Sequence, residues 1–133
     1  MKTIAFDLDD VICWHHSDYD RLGIGKYRHC EPIEAGVSLV NEYHDKGFKI
    51  IIYTSRGMDI YNGNVNLIYE NLYDLTYSSL VEWGVKFHRL VMGKISYDLF
   101  IDDKAISSYL ATRERIEEFL EEIRFLLLVL LDL

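Results

Sequence analysis

The chain has 133 residues, half of them hydrophobic and only one a proline, so it is built to bury a core and its length fits a single domain over 1–133. Its formal net charge of −8 argues against a nucleic-acid surface, which would normally show a basic stripe. Two cysteines, Cys13 and Cys30, make no disulfide framework by themselves, and the N-terminus opens on structure instead of a basic-then-apolar leader, so a cytoplasmic protein is expected.

The run Thr3–Phe6 reads as a first buried strand, and directly after it three aspartates, Asp7, Asp9 and Asp10, fall within four positions. Residues 10–30, rich in Tyr, His and Gly, read as a flap, a hairpin turning at "LGIGK". In "PIEAGVSLVNEYHDKG", Pro32 is expected at a helix start and Gly47 at its stop. "FKIIIYTSRG" is a β-branched run ending in small polar residues, a second buried strand. Residues 64–83 should be helical and closed by Gly84, with Tyr61, Tyr69, Tyr73 and Tyr77 as a packed face. "KFHRLVMG" and "YDLFIDD" look like two further short strands, and residues 112–131 like a helix that carries charges on one face. Strands alternating with helices imply an α/β fold, a parallel sheet with helices on both faces.

In such sheets ligands sit beyond the carboxyl ends of the strands. Asp7, Thr54 and Asp102 each end an apolar run, so three strand tips are expected to converge. Asp7 and Asp9, two residues apart, lie on the same side of extended chain with about 6.5 Å between Cα atoms. With Asp102 and Asp103 they would offer the hard oxygen donors that suit Mg²⁺. One carboxylate of such a set can attack phosphorus and another can move a proton. A single D-x-D often just ends a strand in a polar loop. It is the ordered occurrence of "FDLDD", "IIIYTS", Lys94 and "FIDD" that favours chemistry here.

Those four stretches resemble the haloacid dehalogenase (HAD) superfamily of aspartate-nucleophile phosphotransferases, over residues 1 to about 110. "IAFDLDDV" is similar to its first motif, hhhDxDx[TV] with h apolar; "KIIIYTS" to the second; Lys94 in "MGKISYD" to the third; "LFIDD" to the fourth. The resemblance implies a Rossmann-like core in which Asp7 attacks the phosphoryl group and Asp9 protonates the leaving oxygen. Thr54 and Lys94 would then hold phosphoryl oxygens, with Ser55 beside them. Asp7, the Asp9 backbone carbonyl and Asp102 would ligate Mg²⁺, with Asp103 in or just outside the coordination sphere.

Neither the stretch between Asp10 and Glu31 nor that between Gly57 and Phe87 has room for a large cap, so a capless member is expected. "YTSRGM", "EWGVKFHRLVMGK" and "IDDKA" are similar to small phosphatases of bacterial capsule-polysaccharide synthesis. The implied substrate is a small phosphorylated sugar, polyol or sugar-nucleotide derivative. Alternatives are a nucleotide or polynucleotide-end phosphatase, disfavoured by the acidic charge, and a catalytically silent phosphate-binding assembly subunit. On the flap, Trp14, His15, His16 and Tyr19 could face the substrate; alternatively Cys13, His15, His16, His29 and Cys30 could gather on the stems as a zinc site, though their spacing is not a standard one. Arg56 could reach a substrate phosphate or pair with a carboxylate. The tail "FLLLVLL", residues 125–131, is too short to span a bilayer and apolar all round, which suggests burial against another subunit, hence a homo-oligomer.

Overall fold

The structure, a computed structural model, describes residues 2–131, without the side chains of residues 123, 124, 126–128 and 131. The chain, short enough for one domain, forms two compact units, Met1–Asp98 and Leu99–Leu133.

The first unit is organised by a parallel three-stranded sheet. Strand β1 (Thr3–Phe6) pairs with β4 (Lys49–Thr54), and β4 pairs with β5 (Arg89–Met92), in the order β1-β4-β5. Parallel neighbours demand crossovers, and helices supply them: α1 (Glu34–Asp45) precedes β4, and α2 (Val65–Glu82) lies between β4 and β5. On the central strand Ile50, Ile52 and Thr54 are buried while Tyr53 is 38% exposed, so alternate residues seal one face. Helix α2 contributes Ile68, Leu72, Thr76 and Leu80, spaced by four residues and all buried. Its ends follow the expected signals: the Asn64 side chain accepts a hydrogen bond from the Leu67 amide at 3.2 Å, and Gly84 takes a left-handed φ of 73° just beyond.

The flap has a stem but not the expected tight turn. Strands β2 (Cys13–Trp14) and β3 (Glu31–Pro32) pair antiparallel, and Ser17–His29 between them winds into 3-10 turns broken at Gly23. Pro32 therefore belongs to β3 and does not begin α1. Lacking an amide hydrogen it suits a short edge strand, and the next amide, that of Ile33, donates to the Ile12 carbonyl at 2.7 Å.

The expected strand in "YDLFIDD" is absent: no strand forms among described residues 97–103. Leu99, Phe100 and Ile101, which open the second unit, are 77%, 54% and 88% exposed. Only residues 93–98 separate β5 from Leu99, well short of the dozen or so residues a parallel crossover normally takes. β-branched and apolar composition makes this segment competent for a strand, but a ladder also needs a neighbour within reach. The second unit continues through a 3-10 turn at Ser108–Leu110 into helix α3 (Arg113–Leu131), where Ile116 is buried and Phe125 and Leu130 are each 66% exposed.

Candidate active site

The carboxyl end of the sheet gathers the first three motifs. Asp7 follows the last residue of β1; its Oδ1 accepts from the Leu8 amide at 2.8 Å, and its side chain remains 40% exposed. Thr54 ends β4 and is buried, its hydroxyl accepting from the Arg56 amide at 3.0 Å. The Thr54 carbonyl accepts from the Lys94 amide at 3.1 Å, which ties the chain after β5 to the tip of β4. So held, Lys94 brings its Nζ to 3.4 Å from Asp7 Oδ2. Burial opposes its charge, but hydrogen bonding to Tyr97 and the negative charge of Asp7 outweigh that, and the ammonium is held above the usual lysine range. Asp7, Ser55, Lys94, Ile95, Ser96 and Tyr97 line a cavity of about 170 Å³.

Asp9 has different partners. After Leu8 the chain folds tightly back, the amides of Ile12 and Cys13 both donating to the Leu8 carbonyl and the Asp10 amide to the Cys13 carbonyl. Asp10 takes a φ of 68° in this turn, a conformation aspartate tolerates better than most residues. The Asp9 carboxylate then meets Arg56, whose Nη2 donates to Oδ1 at 2.7 Å and whose Nε donates to Oδ2 at 3.2 Å. Arg56 is only 3% exposed. Its Nη1 donates to Thr76 at 3.3 Å, and its guanidinium lies 4.3 Å from the centre of the Tyr27 ring. Burial works against its charge, yet the two hydrogen bonds that it donates to Asp9 and the negative charge there prevail and keep the guanidinium more firmly protonated than usual.

Of the two roles open to Arg56 in the sequence, the structure shows the pairing with a carboxylate: its guanidinium donates to Asp9 and Thr76 and holds that carboxylate in place. Thr76 and Tyr27, which complete that clamp, went unrecognised in the sequence. The signal for Thr76 was there, a hydroxyl interrupting the apolar four-residue stripe of α2. Nothing comparable marked Tyr27.

On the flap, His15 faces Asp20 at 3.7 Å, and His16 lies 3.9 Å from Glu31 with its ring 4.2 Å from that of Trp14. His29 stacks on Tyr19 at 4.0 Å. Of the residues considered for zinc, Cys13, His15 and Cys30 approach Asp9, whereas His16 and His29 are engaged by these aromatic neighbours. Asp102 and Asp103 belong to the second unit, in the exposed segment; the Asp102 carboxyl is held below the usual carboxylate range, chiefly by a hydrogen bond with Asp103. Among the described residues, no helix is long and apolar enough to cross a membrane.

No family model and no curated protein matches the chain. Among solved structures it is similar to a crystal structure of an MCSG target from Vibrio cholerae, with 27% sequence identity over 92% of this chain and 98% of that one, at a TM-score of 0.74. The two share a mixed α/β fold.

Proposed function

We propose that the chain is a Mg²⁺-dependent phosphomonoesterase of the HAD type, capless, acting on a small phosphorylated sugar, polyol or sugar-nucleotide derivative in capsule or surface polysaccharide synthesis. The observation that carries this reading is Lys94 Nζ at 3.4 Å from Asp7 Oδ2, at the mouth of a cavity beside Ser55. A half-exposed carboxylate with a cation beside it and space in front suits a nucleophile facing an anionic group. In the proposed reaction an Asp7 oxygen bonds to phosphorus, the bond from phosphorus to the ester oxygen breaks, and Asp9 delivers a proton to that oxygen. Water then attacks phosphorus, the bond from phosphorus to the Asp7 oxygen breaks to release inorganic phosphate and restore the carboxylate, and Asp9 recovers its proton from that water. Lys94 offsets charge on the phosphoryl oxygens.

In the first unit the residues proposed to hold Mg²⁺ are Asp7 and the Asp9 carbonyl. The Asp7 carboxylate, 40% exposed, is a hard donor of the kind that ion takes. When bound, it would supply further charge neutralisation for phosphoryl transfer.

The test is a panel of phosphate esters, assayed with Mg²⁺ and with chelator. Sugar phosphates should be hydrolysed, activity should vanish on chelation and return with Mg²⁺, and Asp7→Asn should lower turnover at least about a thousand-fold. Undiminished hydrolysis by a folded Asp7→Asn protein, checked for deamidation, would sink the assignment.

A further inference from the structure

We propose a second metal site, distinct from the oxygen-donor site above, in which Cys30, His15 and Asp9 bind a zinc-class divalent cation at the root of the flap. A ring nitrogen of His15, the Sγ of Cys30 and a carboxylate oxygen of Asp9 all lie within 4.8 Å of one another. Thiolate, imidazole and carboxylate are the donor types that zinc takes, and three protein ligands with an open position is a familiar arrangement for it. A second thiol stands by: Cys13 Sγ is 3.5 Å from Asp9 Oδ1.

Two independent features of His15 point to a missing ligand. Its Nδ1 is buried yet has no hydrogen-bond partner among the described residues. Its Nε2 faces the Asp20 carboxylate at 3.7 Å. A carboxylate behind the far nitrogen is how metal-bound histidines are commonly oriented: it favours hydrogen on Nε2 and leaves the Nδ1 lone pair for the metal.

Cys30 is prepared for the role. Arg56 Nη2 lies 3.8 Å from its sulfur, a positive charge of the kind that favours a thiolate. On binding, the Cys30 S–H proton leaves to solvent and the sulfur bonds the cation. Arg56 already donates to Asp9, so the cation shares that carboxylate, whose oxygens have lone pairs to spare. Its affinity is then set by Cys30 and His15. Because Asp9 is also the proton carrier of the proposed hydrolysis, occupancy should inhibit turnover. That corollary rests on the phosphatase reading, but the binding does not.

Co²⁺, titrated into the reduced full-length protein in excess Mg²⁺, tests the site without any assay of activity. One equivalent should give a thiolate-to-cobalt charge-transfer band, and Zn²⁺ should bleach it. Occupancy of the Asp7 site alone would give no such band. Cys30→Ser should abolish the band, and His15→Gln should weaken binding at least about tenfold, as loss of a ligand exceeds loss of an outer partner. Circular dichroism establishes that both variants are folded. Absence of the band in the reduced wild-type protein, or unchanged cobalt affinity in folded Cys30→Ser and His15→Gln, would overturn the proposal.

Discussion

Both oxygens of Asp9 accept hydrogen bonds from a guanidinium that solvent barely reaches, so the position of that carboxylate is decided by Arg56. Removing one partner of a buried ion pair costs about 3–5 kcal/mol because the other is left uncompensated. Asp9 is 24% exposed, so Arg56→Met should fall at the low end of that range in urea unfolding. Arg56→Lys keeps the charge but not the two-pronged geometry, and should cost less stability. Kinetics separate the two roles open to an arginine here. A substrate ligand would raise KM on mutation, whereas a residue that positions Asp9 should lower kcat and leave KM for the ester nearly unchanged. A rise in KM alone with Arg56→Lys would return Arg56 to the substrate. In the sequence both roles were open, because "TSR" places the arginine near the strand tip without showing which way its long side chain turns. Asp7 and Lys94 were more legible: each sits at or just beyond a strand end, and the sheet itself delivers them to one edge.

Among the elements, the tight turn after β1 and the first turn of α1 press together at Gly36. A Cβ there would stand 1.9 Å from the Val11 carbonyl oxygen, a backbone atom that cannot step aside as a side chain would. Gly36→Ala should thus destabilise the protein by about 1–3 kcal/mol or more, the range for overpacking, despite alanine's better helix propensity. Thermal unfolding checks this, and a Gly36→Ala protein as stable as the wild type would show that the turn can yield. The strands and helices whose pattern was strongest in the sequence, β1, β4, α2 and α3, form where their periodicity and end signals put them. What periodicity could not give was partnership. "YDLFIDD" has strand composition but only a short tether from β5, and Pro32 reads as a helix start until β3 captures it with Cys13. The flap shows the same gap: its stem was legible from the two cysteine-flanked ends, but 3-10 turns have no apolar period to announce them.

At the scale of the whole molecule, exposed apolar side chains and an open site favour assembly. In the second unit Leu99, Ile101, Phe125 and Leu130 are each at least 66% exposed, and Val129 42%. Apolar surface of this extent is usually a contact surface. In the first unit the Asp7 side chain is 40% exposed, whereas the proposed hydrolysis through an acyl phosphate would gain from excluding stray water. A neighbouring copy would answer both needs, and identical chains most often associate with closed symmetry. We predict a homo-oligomer at micromolar concentration by sedimentation. Each large apolar side chain buried contributes about 1.5–3 kcal/mol, before the rigid-body cost of association. Leu99→Asp combined with Ile101→Asp, and separately Phe125→Asp, should shift the equilibrium towards monomer. If monomeric variants keep full turnover and the same preference among esters, the neighbour buries surface without shaping the site. If kcat falls with dissociation and recovers at high protein concentration, the neighbour closes it. A wild-type chain that sediments as a monomer at micromolar concentration with full activity defeats the assembly prediction altogether.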